Sequence, residues 1–250
     1  MEKVGYFMQP QHLSVNDGQG IRTLIFLAGC PLRCKWCANP EGFTATEKKD
    51  LVYKMSVEEI LSEIDKQRIF YRQSGGGVTF SGGEATVQDD MLRTLSKILY
   101  DEGLHLSIET SGYFDFEQVR DILEMMDTIF MDIKLMDSEW HRLFTGQGNE
   151  LILENVKKVA ALGKELIIRV PVIEGVNASE WEMLEIIRYV KEHVPSPKME
   201  FLPYHTFGNY KYEKLDLSID DYDFKTPSQE YMLLFKNKAI SEGVSLVSYR

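Results

Sequence analysis

Apolar positions along this 250-residue chain recur in two rhythms. Short runs rich in Ile, Val, Phe and Thr fall at 22–27, 77–80, 105–109, 128–133, 166–172 and 199–202, each followed by Gly, Pro or polar residues, as strands are. Between them lie longer stretches with helical spacing. The stretch 56–71 opens with Ser56-Val57-Glu58-Glu59, a capping-box pattern, and carries Val57, Ile60, Leu61 and Ile64 on one face. The stretch 89–102 groups Met91, Leu92, Leu95, Ile98 and Leu99 and stops at Gly103. The stretches 116–126, 150–162, 179–193 and 229–241 have the same form. Strands alternating with helices over six cycles predict a parallel sheet with right-handed crossovers.

Six units fall short of a closed eight-stranded barrel, so periodicity fits either an open partial barrel or a doubly wound sheet. Neither a linker nor a repeat interrupts the pattern, which predicts one domain over 1–250. The polar and aromatic stretch 204–227 has no clear period and is expected to form a long, lid-like loop. In both architectures ligands collect at the C-terminal ends of the strands.

Composition narrows the class. A hydrophobic content of 44% with Gly 18 and Pro 8 excludes disordered and collagen-like chains. Lys+Arg 28 against Asp+Glu 39 leaves a net charge of −11, which argues against nucleic acid or an anionic membrane as a general partner. The longest uncharged apolar run, 23–31, is far short of the ~20 residues of a membrane span. Met1-Glu2-Lys3-Val4-Gly5 has no charged-then-apolar signal pattern, so a cytoplasmic chain is expected. All three cysteines lie between Cys30 and Cys37, an odd count in too short a span for a disulfide framework.

The cysteine spacing is C-x3-C-x2-C, directly after the first long strand. Three thiolates on a short loop can hold three corners of an iron–sulfur cube and leave the fourth iron open to a substrate or cofactor. On these residues alone, a zinc site completed by a distant His12 and a redox pair of Cys34 and Cys37 remain alternatives. Gly82-Gly83-Glu84 follows the second strand, where it is either a plain turn or a close backbone approach to a ligand with a carboxylate beside it. Glu109-Thr110-Ser111-Gly112 and Asp132-Ile133-Lys134 end the next two strands, as exposed termini or as holders of a ribose, a carboxylate or a small cation. Arg169 interrupts an apolar strand and must be paired or point at a ligand. His205 follows the sixth strand, and Asp17-Gly18 before the first has the form of a tight turn.

In this order and spacing the motifs resemble the radical S-adenosylmethionine (radical SAM) superfamily, whose signature C-x3-C-x-aromatic-C is filled by Cys30, Cys34, Trp36 and Cys37. The resemblance runs from Asp17 to His205 and is strongest to the activators of glycyl radical enzymes. Residues 38–74 hold no further cysteine, which resembles the short, single-cluster members that serve pyruvate formate-lyase. The run Gly29-Cys30-Pro31-Leu32-Arg33-Cys34-Lys35-Trp36-Cys37-Ala38-Asn39-Pro40-Glu41 looks more like activators of other glycyl radical enzymes.

The resemblance implies an α/β fold, an open partial (β/α)6 TIM-like barrel. It implies a 4Fe–4S cluster on Cys30, Cys34 and Cys37 whose open iron chelates S-adenosylmethionine. Reductive cleavage would then give methionine and a 5′-deoxyadenosyl radical that abstracts a glycine Cα hydrogen from the partner. Gly82, Gly83 and Glu84 would grip the methionine amino group, Asp132, Lys134 and Arg169 would line the cofactor, and His205 would contact the adenine. Asp17, Lys134 and Arg169 would serve catalysis, with Asp17 near the incoming peptide. Glu109, Thr110, the backbone at Phe130 and Asp132 would surround a monovalent cation. The partners implied are a glycyl radical enzyme, expected to be pyruvate formate-lyase, and flavodoxin or ferredoxin as electron donor. Arg33, Lys35, Lys48 and Lys49 are the candidates for docking the donor.

Overall fold

The computed structural model describes residues 3–218 and 223–249. The chain enters through β1 (Val4–Met8) and β2 (Gln11–Ser14) before the long strand β3 (Arg22–Leu27). Next come β4 (Val52–Ser56) and the helices α1 (Val57–Asp65) and α2 (Arg68–Ser74). Alternation then sets in with β5 (Gly77–Gly82), α3 (Asp89–Asp101), β6 (His105–Thr110), α4 (Phe116–Glu124) and β7 (Thr128–Asp132). Two helices, α5 (Ser138–Thr145) and α6 (Glu150–Ala160), precede β8 (Glu165–Val172), which is followed by α7 (Glu180–His193) and β9 (Lys198–Pro203). The chain closes with α8 (Asn209–Lys214), α9 (Gln229–Ser241) and β10 (Ser245–Leu246).

Among the described residues these strands form one sheet in the order β10-β9-β8-β7-β6-β5-β3-β1-β4, with β2 also paired to β3. The six predicted strands, β3 and β5 to β9, run parallel, and β10 adds a seventh in the same sense. The antiparallel β1, β2 and β4 gather on the β3 side. The end strands β4 and β10 do not meet, so the sheet is the expected open partial barrel.

Strand alternation sorts the two faces. Phe80, Leu106, Ile108, Ile129, Met131, Ile168 and Val170 face the helices and join Ile60, Leu95, Ile122, Val156 and Ile187 in one core. Each such side chain contributes ~1.5–3 kcal/mol on burial. The alternate positions put Thr79, Ser81, Ser107, Glu109, Asp132, Arg169 and Glu200 on the concave face, and this polar lining is where chemistry can reside.

Two expectations need amendment. The predicted helix at 56–71 is two helices, α1 and α2, and a strand, β4, leads into it. Its capping box does form, with Ser56 N donating to Glu59 Oε2 at 2.7 Å and Glu59 N donating to Ser56 Oγ at 3.2 Å. The stretch 204–227 contains α8, and Lys225 bridges to Glu174. Residues 219–222 of that stretch, and residues 1–2 of the N-terminus read for a signal, lie outside the described residues. Among the described residues no helix is long and apolar enough to cross a membrane.

Candidate active site

The cysteine loop leaves β3 at Gly29, whose φ of +100° belongs to the left-handed region that favours glycine. Its backbone is pinned from three sides. Gly29 N donates to Gly42 O at 2.8 Å, and Arg33 N and Lys35 N donate to Thr145 O and Phe144 O at 2.6 and 3.0 Å. Those last carbonyls belong to the end of α5, where helix geometry leaves them without an internal partner. From the third side, Tyr212 Oη donates to Cys37 O at 3.0 Å, and Lys211 Nζ reaches Asn39 Oδ1 at 2.7 Å and Glu41 Oε1 at 2.6 Å. Trp36 packs at 6.0 Å between centroids on both Phe144 and Phe224, so the aromatic position of the motif anchors the loop.

The three cysteines are free thiols, and burial pushes each up to about 12. Deprotonation there needs a compensating positive charge, as bound metal provides. Among the described residues no group of three His, Cys, Asp or Glu side chains converges as the ligands of one metal ion would. A cube asks instead for one thiolate per iron, which three cysteines on one pinned loop offer. His12, considered as a zinc ligand, is bonded to Thr23 Oγ1 at 3.3 Å and lies 3.4 Å from Glu63 Oε2. The donor set fits the cluster.

Gly82-Gly83-Glu84 docks on this loop. Gly83 N donates to Leu27 O at 2.9 Å and Glu84 N to Gly29 O at 2.7 Å. A Cβ at Gly82 would stand 2.1 Å from Leu27 O, and one at Gly83 only 2.4 Å from Gly29 O. The glycines are therefore required by the neighbouring backbone as well as by any ligand. The carboxylate of Glu84, expected to face a cation or an amino group, turns inward and is fully buried. It accepts from Thr86 Oγ1 and Thr110 Oγ1 at 2.8 Å, Ser111 N at 2.8 Å and Ser111 Oγ at 2.6 Å, locking the ends of β5 and β6 together.

Deeper on the concave face, Arg169 gathers residues that lie far apart in sequence. Its Nε donates to Glu200 Oε2 at 2.9 Å, its Nη1 to Glu109 and, at 3.3 Å, to Asp17 Oδ1, and its Nη2 to Asn16 O at 3.2 Å. The guanidinium lies 4.0 Å above the centroid of the Phe130 ring. Lys134 is buried and paired with Asp132. Burial alone would lower Lys134, but the Asp132 carboxylate beside it outweighs that and holds the ammonium protonated above its usual range. His205 is exposed beyond β9 and stacks on Phe207 at 4.7 Å.

The structure thus unites Asp17, Glu109 and Arg169, and separately Asp132 and Lys134. Of the residues read as a cation cage, Glu109 is held by Arg169, Asp132 by Lys134 and Thr110 by Glu84, so their side-chain oxygens are already engaged within the protein. Among the basic candidates for donor docking, Arg33 Nη1 donates to Cys30 O at 2.6 Å and Lys48 Nζ to Glu41 O at 2.6 Å, so both brace the loop itself.

Three contributions escaped the sequence reading. Glu200 carried the same signal as Arg169, a charge inside an apolar parallel strand. Lys211 and Tyr212 sit in a stretch without period and gave none. Arg22 is fully buried at the start of β3 and donates to Thr79 Oγ1 at 2.7 Å, Val78 O at 2.7 Å and Ser107 Oγ at 3.0 Å. Burial pulls it down to about 10.

Comparison with known proteins agrees with this geometry. Residues 24–187 match the radical SAM superfamily. The chain is 34% identical to the trans-4-hydroxy-L-proline dehydratase activating enzyme of Clostridioides difficile, over 88% of this chain and 91% of that one. It is 33% identical to the pyruvate formate-lyase-activating enzyme of Clostridium pasteurianum, over 93% of both. A crystal structure of a domain of pyruvate-formate lyase-activating enzyme from Bacteroides vulgatus superposes with a TM-score of 0.56 at 29% identity, covering 69% of this chain and 98% of that domain. Membership implies a 4Fe–4S cluster and S-adenosylmethionine as cofactors. A three-cysteine loop on a partial barrel, together with these relatives, places the chain in the radical SAM superfamily, among the activating enzymes of glycyl radical enzymes.

Proposed function

We propose that the enzyme activated by this chain is pyruvate formate-lyase. The supporting observation is architectural. The alignment with the C. difficile relative runs over 275 positions while covering 88% of these 250 residues, so that relative carries inserted segments absent here. The C. pasteurianum alignment runs over 232 positions and covers 93% of both chains. This chain has the short form, with cysteines for one cluster and none between 38 and 74.

In this reading Cys30, Cys34 and Cys37 hold the 4Fe–4S cluster, and Gly82 and Gly83 bring backbone to the rim beside it. The bound cluster and S-adenosylmethionine supply a one-electron reductive cleavage that yields a hydrogen-abstracting 5′-deoxyadenosyl group. Lys134, kept protonated by Asp132, and Arg169 present cationic groups to the cofactor's carboxylate end. Asp132 would serve the ribose, and His205, exposed beyond β9, would contact the adenine. A monovalent cation at Glu109, Thr110, Phe130 and Asp132 would require Arg169 and Lys134 to release their carboxylates. Asp17, held by Arg169, would stand near the partner's glycine, whose lack of a side chain permits a planar radical. The electron donor is a flavodoxin or ferredoxin.

The test is electron paramagnetic resonance of a mixture of this protein, reduced flavodoxin, S-adenosylmethionine and pyruvate formate-lyase from the same organism, kept anaerobic. A glycyl-radical doublet is expected. A doublet with another glycyl radical enzyme and none with pyruvate formate-lyase would reject the target and keep the class. That second target is favoured by the sequence of the cysteine loop and by the 34% identity to the hydroxyproline dehydratase activator.

A further inference from the structure

We propose that Glu200 is a positioning residue for the radical SAM reaction, acting through Arg169 as its permanent counter-ion while Asp17 and Glu109 are its exchangeable ones. The inference rests on the function proposed above. Three carboxylates share one guanidinium, and they are not equivalent. Glu200 leaves 4% of its side chain exposed, against 18% for Asp17 and 22% for Glu109.

Geometry makes the same division. Asp17 and Glu109 both take Nη1, at the tip of the guanidinium, whereas Glu200 takes Nε, next to the Arg169 stem. Glu200 and Arg169 are direct register partners on β9 and β8, so their alignment is fixed by the sheet. The other Glu200 oxygen, Oε1, accepts from Tyr249 N at 3.4 Å. With Phe130 beneath the guanidinium at 4.0 Å, the Nε contact sets its plane and leaves Nη1 and Nη2 to Asp17, Glu109 and Asn16 O.

A ligand that takes Nη1 must displace Asp17 or Glu109. A buried arginine stripped of all its carboxylates would be an uncompensated charge. Glu200 prevents that, because it holds Nε, leaves only 4% of its side chain exposed and is fixed to Arg169 by the strand register. It also explains why a strand otherwise apolar at Met199 and Phe201 carries a buried acid.

The test uses the anaerobic, cluster-loaded protein and two readouts, the S-adenosylmethionine Kd from calorimetry and the rate of 5′-deoxyadenosine release. The unsubstituted protein is measured first. If it binds no S-adenosylmethionine, the proposed function fails and Glu200 is not at issue. In Glu200→Gln the shape is kept and the charge lost, so iron content should hold while Kd rises about tenfold. On an Arg169→Lys background the same change should add less than about twofold, because the two residues act as a unit. Glu200→Asp should recover part of the affinity, and it serves if the Gln variant loses iron. An unchanged Kd in Glu200→Gln overturns the proposal. So does an equal loss on the Arg169→Lys background, or a Glu200→Asp protein that holds its iron and binds no better than Glu200→Gln.

Discussion

The hydroxyl of Tyr212 donates to the carbonyl oxygen of Cys37 at 3.0 Å, tying the third cysteine to a helix 175 residues further along the chain. Beside it, Lys211 neutralises the buried Glu41. Helix α8 is therefore a clamp on the exit of the cysteine loop. Tyr212→Phe removes one hydrogen bond worth ~1 kcal/mol. Iron content after reconstitution should fall while the fold survives, which iron assay and circular dichroism would show together. Equal iron in both proteins would count against the clamp.

Gly83→Ala should act at the same loop from the opposite side. The new methyl would stand 2.4 Å from Gly29 O and 2.5 Å from Gly42 O, both backbone atoms that cannot swing away. The loop must shift, and the protein should purify pale, with little of its visible iron–sulfur absorbance. Gly103→Ala is the control, since a Cβ there meets nothing within 4 Å and only the backbone preference is disturbed.

Glu84→Ala should behave as a stability lesion more than a binding lesion. Its carboxylate answers donors from Thr86, Thr110 and Ser111, and their removal strands several buried groups at once. A loss of ~3 kcal/mol is expected. Thermal unfolding of the variant should come well below that of the parent. A Glu84→Ala protein of parental stability that had merely lost S-adenosylmethionine affinity would contradict the buried arrangement.

Acid should destabilise the fold through two histidines. Burial lowers His105, with Arg22 adding to the effect, and burial lowers His141. Both are therefore neutral when folded, at a pH where the unfolded chain takes up protons. Because the unfolded state binds more protons, stability falls as pH drops through 6.5 toward the folded values. Melting temperatures between pH 7.5 and 5.5 should decline, and His141→Asn should flatten that decline relative to the parent.

Much of this was legible in the sequence because the signals were local. A cysteine spacing, a capping box at Ser56 and an arginine inside an apolar strand each depend on a few consecutive residues. The parallel strands followed from runs such as Leu24-Ile25-Phe26-Leu27, where both faces are buried. What stayed hidden depends on contacts across the fold. The inward turn of Glu84 is decided by Thr110 and Ser111 on the next strand, and α8 earned no period because it is six residues long and packs mainly through two of them. β4 gave no strand signal, since its middle residues Tyr53 and Lys54 are exposed and only Val52 and Ser56 of it are buried.

Arg22 gives the cavity a direction. Fully buried, it fills the space between the first residues of β3, β5 and β6, and the carbonyl of Asp17 accepts from Thr79 Oγ1 at 2.8 Å just above it. That end of the concave face is stoppered by protein. A ligand on the concave face must then be taken up away from Arg22, toward the strand ends that carry Gly82, Thr110 and Asp132.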